Sequence, residues 1–108
     1  MIVGLNSDSS VRKIKGPKRP IMSQEERAEI LSALEYVDYV VIFKEQTPCQ
    51  LIKAIKPDIH TKGRDYEMSE FPEANIVKSY GGRIILTPLF KGTSTTSLIK
   101  KIIKRYLK

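Results

Sequence analysis

The chain has 108 residues, of which 41% are hydrophobic and 29% are charged. A chain of this length forms one domain or less, with a hydrophobic core of modest size. Its formal net charge of +7 suits anionic partners such as nucleotides, phosphorylated metabolites or nucleic acid, and charge alone does not choose among them.

Membrane spans, disulfides and structural metal sites are not expected. No apolar run approaches the roughly 20 residues that span a bilayer, and residues 1–5 are too few for a signal-peptide core of about 7 to 15 residues. The single Cys49 cannot form an internal disulfide, and one histidine provides no cluster of soft ligands for zinc. We therefore expect a cytoplasmic protein with no protein-made metal site.

The first third of the chain predicts one strand, one loop and one helix. Residues 2–5 are apolar and predict a strand that ends in a polar turn at residues 6–8, whereas residues 12–20 are basic and interrupted by proline, which predicts a loop. Ser23 and Glu26 have the spacing of a capping box, which predicts a helix over residues 24–35. The side chains expected to face inward are Ala28, Leu31 and Leu34.

The middle of the chain alternates between strand and helix. Residues 37–43 are β-branched or aromatic almost throughout, as in a strand covered on both faces. A helix is predicted to begin at Pro48 and to end before Pro57, and residues 58–61 predict a short strand that leads into a polar loop. The residues expected to form the buried stripe of this helix are Leu51, Ile52 and Ile55.

The last third predicts a helix, a strand and a final helix. Residues 72–80 form a helix that stops at Gly81, since glycine accepts the left-handed conformation of a helix end. Residues 83–88 predict the last strand, and an amphipathic pattern follows to the C-terminus. The order is strictly alternating, β then α four times, which is typical of an α/β protein with a parallel sheet.

The start of the last helix is rich in hydroxyl groups. Residues 93–97 are all serine or threonine and follow Lys91 and Gly92. A helix N-terminus carries free N–H groups that attract anions, so the surplus hydroxyls are available to bind a phosphate. Serine and threonine are also ordinary helix caps, and spacing alone leaves both interpretations open.

Three loops follow the carboxyl ends of predicted strands, where ligands bind in a parallel sheet. Each loop places at least one lysine or arginine side chain at the carboxyl end of the predicted sheet. A site for a polyphosphate, or for two phosphate-bearing substrates, requires such positive charges. Their polar residues are Asn6, Ser7, Asp8, Arg12, Lys15 and Lys18 in the first, Lys62, Arg64 and Asp65 in the second, and Lys91 with the hydroxyl cluster in the third.

An ordered series of motifs resembles a known family. It includes Asn-Ser-Asp at residues 6–8, Lys-Gly-Pro-Lys-Arg-Pro at 15–20, Lys-Gly-Arg-Asp-Tyr at 62–66 and Gly-Thr-Ser-Thr-Thr at 92–96. Together these resemble the adenylyltransferase part of the ADP-heptose synthases and the wider cytidylyltransferase-like group, over nearly the whole chain. The resemblance implies a Rossmann-like nucleotidyltransferase fold, with residues 1–108 forming a single, partial domain that is incomplete at its N-terminus.

The resemblance also implies an activity. It is the transfer of AMP or CMP from ATP or CTP to a sugar 1-phosphate such as heptose 1-phosphate, with release of pyrophosphate and with Mg²⁺ accompanying the nucleotide. Implied partners are these substrates, and a second copy of the chain or a kinase domain that supplies the preceding step. The implied residues are Lys15 and Lys18 as catalytic groups near the phosphates; Asn6, Asp8, Lys91, Ser94, Thr95 and Thr96 for the nucleotide; and Arg27, Lys62, Asp65 and Tyr66 for the substrate.

Two departures from the family pattern bear on the activity. Family members begin with a strand, a glycine-rich turn and a helix that carries an H-x-G-H signature, whose histidines stabilise the triphosphate, and the present sequence has no such segment. His60 is expected at the end of the third strand, and the catalytic role does not transfer to it. Arg64 stands where glycine is common, which makes the pocket edge larger and more basic. We expect the chain alone to be inactive.

Some alternatives remain open on the residues themselves. Asp8 and Asp65 are suited to Mg²⁺ or ribose but are also routine turn residues, and Tyr66 is suited either to stacking on a base or to packing over a loop. The functional alternatives are an enzyme and a non-catalytic nucleotide-binding module of the same family. A basic nucleic-acid-binding protein ranks third, because no aromatic residue is interleaved with the cations of residues 12–19.

Overall fold

The computed structural model describes residues 1–63, 72–88 and 92–107, which form four strands and five helices. The elements are β1 (Ile2–Asn6), α1 (Asp8–Lys15), α2 (Gln24–Ser32), β2 (Tyr39–Phe43), α3 (Cys49–Ile55), β3 (Ile59–Gly63), α4 (Pro72–Ser79), β4 (Arg83–Thr87) and α5 (Thr95–Tyr106). No helix in these ranges is long and apolar enough to cross a bilayer.

The strands pair in parallel, as the alternating order predicts. β1 runs beside β2 in a register that sets Ile2 opposite Tyr39, and β3 runs beside β4 with Ile59 opposite Arg83. Helices connect the two members of each pair, as parallel neighbours require. Within the described residues these pairs are separate two-stranded sheets, β1 with β2 and β3 with β4. The α/β class with parallel strands is confirmed.

The predicted loop over residues 12–20 was wrong in its first part, because residues 8–15 form helix α1. Ser7 caps this helix through its side chain, which accepts a hydrogen bond from the backbone N–H of Ser10 at 3.2 Å. Asp8 lies in the first turn and Lys15 in the last, where each charge is favourable to the helix dipole. Its only large apolar side chains are Val11 and Ile14, too few to show a helical period. The element order is therefore not strictly alternating.

Helix α2 begins where the capping box predicts. Ser23 Oγ accepts a hydrogen bond from the backbone N–H of Glu26 at 3.1 Å. The helix ends at Ser32 rather than at residue 35, because the N–H groups of the next two residues bond to carbonyls three positions back. Leu34 lies in that turn and is 54% exposed, so its predicted inward position was wrong.

The strand boundaries also shift. β2 begins at Tyr39, two residues later than predicted, and the 67% exposure of Tyr39 shows that this strand is not covered on both faces. β3 runs from Ile59 to Gly63, so His60 is its second residue and not its end. Helix α4 ends as expected, with Gly81 in the left-handed region at φ 86°.

The core is small and lies where α3 and α4 meet the strands. The buried apolar side chains among the described residues are Phe43, Ile52, Ala74 and Val77. Helix α3 approaches β1 so closely that a Cβ at Gly4 would lie 3.0 Å from Leu51 Cδ2. In contrast, no residue of α5 is buried, and Leu98 on its apolar stripe is 56% exposed.

Candidate functional site

The basic segment after α1 meets the start of α5. Arg19 Nη2 donates a hydrogen bond of 3.1 Å to Thr96 Oγ1, across 77 positions of sequence, and the contact is exposed. Lys18 and Thr95 are the neighbours of these two residues in the chain. This Arg19–Thr96 contact therefore brings two of the segments that were expected to bind phosphate to one place on the surface.

The hydroxyl groups at the start of α5 have different tasks. Ser94 is the N-cap: its Oγ accepts from the backbone N–H of Ser97 at 3.1 Å and lies 2.9 Å from Ser97 Oγ. Thr96 accepts from Arg19, and the Thr95 side chain is exposed. The capping interpretation therefore holds for Ser94. The side chains of Thr95 and Thr96 are not needed for the cap and can contact other groups.

Asp8 and Arg27 form an ion pair. Arg27 Nη2 lies 2.9 Å from Asp8 Oδ1, and their side chains are 20% and 27% exposed. The backbone N–H of Asp8 also donates to Gln24 Oε1 at 3.0 Å, while Arg27 Nε donates to the carbonyl of Met22. These contacts attach α2 to the start of α1. A ligand that binds either residue has to compete with this pair.

Asn6 belongs to a chain of hydrogen bonds at the end of β1. Its Nδ2 donates to Ser10 Oγ at 2.9 Å, and Ser10 Oγ donates to the carbonyl of Glu45 at the same distance. Ser10 is fully buried. The network fixes the turn between β1 and α1 against the segment after β2.

A buried carboxylate holds two side chains of β3. Glu73, in the first turn of α4, is fully buried, and its Oε1 lies 3.2 Å from Lys62 Nζ and 3.4 Å from His60 Nε2. Burial by itself raises the pKa of the Glu73 carboxyl, but its own backbone N–H, the Lys62 ammonium and the His60 contact together lower that pKa below its ordinary value. We call these three residues the Glu73 cluster.

A cavity of about 880 Å³ lies between β1 and β3. Asn6, Lys15 and Lys62, which were all expected near the substrates, line this cavity together with His60 and Glu73. The structure thus brings residues of the first and second polar loops to one space, while Lys18 is exposed on the surface. The remaining expected residues, Arg64, Asp65, Tyr66 and Lys91, lie outside the described residues.

Two site residues were not singled out from the sequence. Arg19 was counted only within a basic run, and its contact with Thr96 depends on the packing of distant segments. Glu73 follows Pro72 at a helix start, where an acidic residue is normally exposed and favourable to the helix dipole. No local signal distinguishes it from an ordinary first-turn glutamate.

The parallel strand pairs and their connecting helices define an α/β protein, and comparison with known proteins shows its family. Residues 1–101 match the family model described as cytidylyltransferase-like, and the chain belongs to this family. The resemblance found in the sequence motifs is therefore confirmed.

Individual proteins that are similar to this chain narrow the comparison beyond the family. A protein named bifunctional protein HldE from Trichlorobacter lovleyi is 49% identical over 98% of this chain, and one of the same name from Syntrophotalea carbinolica is 50% identical over the same share. The chain covers only 22% of the length of each of these relatives. The solved lipopolysaccharide core biosynthesis protein from Thermoplasma volcanium has a TM-score of 0.60 and 27% identity, covering 83% of this chain and 72% of that chain.

Proposed function

We propose that this chain supplies the phosphate-binding part of a nucleotidyltransferase in heptose and lipopolysaccharide biosynthesis. In this reaction AMP or CMP passes from ATP or CTP to a sugar 1-phosphate such as heptose 1-phosphate, and pyrophosphate is released. The observation that carries the proposal is the Arg19–Thr96 contact, which joins the basic segment to a helix N-terminus. Family membership and the names of the relatives support the reaction class.

The chemistry requires cations near the phosphates. A phosphate oxygen of the acceptor forms a bond to the α-phosphorus of the nucleotide while the bond from that phosphorus to the leaving pyrophosphate breaks. Negative charge develops on the phosphate oxygens around the α-phosphorus and on the leaving pyrophosphate. Positioned cations and N–H groups stabilise this charge. We assign Lys15, Lys18 and Arg19 to this task, with Thr95 and Thr96 as hydrogen-bond partners of the phosphate oxygens.

The expected magnesium ion has no protein-made site among the described residues. They contain no group of three or more histidine, cysteine, aspartate or glutamate side chains that could hold a metal ion. Asp8, the described carboxylate that was expected to assist, is paired with Arg27. Mg²⁺ is commonly held by substrate phosphates together with only one or two carboxylates. We therefore include Mg²⁺ in the proposal only as part of the metal–nucleotide substrate.

The binding proposal is tested by replacing Thr95 and Thr96 with valine, which removes the hydroxyls and keeps the shape. The free energy of binding of ATP, CTP or pyrophosphate should become less favourable by about 1 to 3 kcal/mol, because phosphate oxygens lose hydrogen-bond partners. Calorimetric titration measures this change. Thr47→Val is the matched control, since Thr47 is exposed and lies outside α5. Equal affinity in the double variant and the wild type would remove the phosphate assignment.

A non-catalytic nucleotide-binding module of the same family is the second candidate, because the 108 residues contain a single histidine, His60, which contacts Glu73. Pyrophosphate release with ATP or CTP and a panel of sugar 1-phosphates separates the two functions. We expect no turnover from this chain alone and turnover after extension with an H-x-G-H segment. Turnover by the chain alone would contradict the expected inactivity, and binding without turnover in both forms would favour the module.

The cellular setting is also part of the proposal. We expect the protein in the cytoplasm, where nucleoside triphosphates and sugar phosphates are available. A kinase domain, or a kinase partner that phosphorylates the sugar, would supply the acceptor, in keeping with the word bifunctional in the names of the relatives.

A further inference from the structure

Helix α4 is attached to strand β3 near both of its ends. In its first turn Glu73 Oε1 lies 3.2 Å from Lys62 Nζ. Just after its last turn Tyr80 Oη donates a hydrogen bond of 2.7 Å to the carbonyl of Pro57, two residues before β3. Val77, between these two contacts, is fully buried. Residues 73, 77 and 80 lie on one face of a helix, because they are four and three positions apart. The Glu73 carboxylate is therefore placed on β3 by a helix that is held firmly.

Lys62 is held at its backbone as well as at its side chain. Its carbonyl accepts a hydrogen bond of 3.3 Å from Thr87 Oγ1 on β4, and its ammonium group contacts Glu73. A lysine side chain has a flexible four-carbon stem and loses rotamer freedom when its ammonium group binds a ligand. The contacts of Lys62 remove part of this freedom in advance, so the ammonium group is preorganised.

His60 helps to fix the direction of the Glu73 carboxylate. His60 and Lys62 are two positions apart in β3, so their side chains lie on the same face of the strand. His60 Nε2 lies 3.4 Å from the same Oε1 that Lys62 contacts. An oxygen with two partners is less free to rotate than an oxygen with one. Since the pKa of Glu73 is below its ordinary value of 4.5, this oxygen is negatively charged at neutral pH and attracts the ammonium group.

Stability of the fold alone does not account for this buried carboxylate. Replacing a buried ion pair by apolar side chains often leaves a protein equally stable or more stable, because burying charges costs solvation. Glu73 is fully buried, and its Oε2 has no hydrogen-bond partner among the described residues, which adds to this cost. The Lys62 side chain, in contrast, is 32% exposed. The carboxylate thus directs an accessible ammonium group, which an apolar residue at position 73 could not do.

Lys62 also lies where ligands bind in this type of fold. It is the last residue but one of β3, and the carboxyl ends of the strands form the ligand-binding edge of an open parallel sheet. Lysine binds phosphate as a point charge. Because Glu73 offsets part of the Lys62 charge, its contribution to binding is the direction of the ammonium group and not a stronger attraction.

We propose that Glu73 is a positioning residue that directs the Lys62 ammonium group toward the phosphate of the sugar 1-phosphate. Lys62 binds this phosphate at the carboxyl end of β3, and Glu73 acts through Lys62 without touching the ligand. This role rests on the proposed function, in which the sugar 1-phosphate is the acceptor.

The test is a double-mutant cycle in which calorimetric titration measures the binding of heptose 1-phosphate to the chain. Lys62→Met should weaken binding about tenfold, because a charge-assisted contact to phosphate is lost. Glu73→Leu should weaken binding about fivefold when Lys62 is present and less than about twofold when position 62 is methionine. A merely structural role of Glu73 predicts the same loss in both backgrounds, and that result would overturn the proposal. Absence of binding to the wild-type chain would overturn it as well.

A conservative variant and two controls sharpen the cycle. Glu73→Gln keeps an acceptor oxygen for Lys62, so its affinity should stay within about twofold of the wild type. Glu29→Leu and Lys53→Met make the same charge changes at exposed positions of other helices, and neither should change affinity more than about twofold. If glutamine weakens binding as much as leucine does, or if the controls weaken it as much as the Glu73 and Lys62 variants, the positioning role is wrong.

Circular dichroism shows whether each variant is folded. If both Glu73 variants are unfolded, nuclear magnetic resonance of the lysine ammonium groups decides the matter on the wild type. The Lys62 signal, identified by its absence in Lys62→Met, should exchange with water more slowly than the Lys53 signal and should shift when heptose 1-phosphate is added. Equal exchange of the two signals, or no shift of the Lys62 signal, would overturn the proposal.

Pyrophosphate titrations on the same samples separate this role from the proposed function. Pyrophosphate is assigned to the start of α5, so Glu73→Leu should not weaken its binding. Normal pyrophosphate binding together with a heptose 1-phosphate affinity that does not depend on Glu73 removes the positioning role alone. Absence of pyrophosphate binding to the wild-type chain removes the proposed function, and the positioning role with it.

Discussion

Two polar regions of this molecule contain contacts of nearly equal length in very different surroundings. Arg19 Nη2 lies 3.1 Å from Thr96 Oγ1 on the exposed surface, and Lys62 Nζ lies 3.2 Å from Glu73 Oε1, whose side chain is fully buried. An exposed contact exchanges readily with water or with a ligand phosphate, whereas a buried carboxylate cannot lose its partners without a large cost. Two contacts of similar length therefore differ in the cost of breaking them, and burial sets that difference.

The largest expected effect is on the stability of the fold, when the buried Glu73 cluster is disrupted. Glu73→Ala removes the acceptor that holds Lys62 and His60, and we expect a loss of about 1.5 to 3 kcal/mol in the free energy of unfolding, because hydrogen bonds to a charged group are lost while Lys62 is partly exposed to water. Urea denaturation followed by circular dichroism measures it. Glu29→Ala is the matched control and should change stability by less than about 0.5 kcal/mol, since Glu29 is exposed. If both variants unfold at the same urea concentration, the Glu73 cluster does not stabilise the fold.

The second prediction concerns pH. The pKa of Glu73 in the folded protein is below its ordinary value of 4.5, so the unfolded chain takes up the proton first as the pH falls. The stability that ionised Glu73 contributes is therefore fully present above about pH 4.5 and is lost as the pH falls through the folded pKa. Glu73→Gln lacks this contribution at every pH. The difference in unfolding free energy between wild type and variant should shrink from pH 7 to pH 3, and a constant difference would contradict the assignment.

The smallest expected effect on stability comes from the exposed contact. Arg19→Gln should change the free energy of unfolding by less than about 0.5 kcal/mol, because the contact with Thr96 is open to water. In contrast, it should weaken pyrophosphate binding several-fold and flatten its dependence on salt, since a charge-assisted contact to phosphate is lost. Lys53→Gln makes the same change in net charge on the exposed part of α3. If the two variants bind pyrophosphate equally, Arg19 acts only through overall charge.

The sequence predicted well those features that one or two side chains decide. Ser23 with Glu26 marks a helix start because a hydroxyl satisfies an N–H three residues away, which requires no distant contact. Gly81 likewise ends α4 through its own backbone conformation. Helix α1 was missed because two apolar residues cannot show a period, and its cap at Ser7 was taken for a turn.

The family and the α/β class followed from the sequence alone, since ordered motifs and alternating elements are properties of the chain itself. The tertiary structure decided which distant groups meet. Arg19 reaches Thr96 and Glu73 is buried against Lys62 and His60 only after the helices pack on the strands. The cavity between β1 and β3 was not expected from the sequence, and neither was the buried Glu73 Oε2, which has no hydrogen-bond partner among the described residues. Burial depends on the joint position of several elements, and no local pattern of residues encodes that.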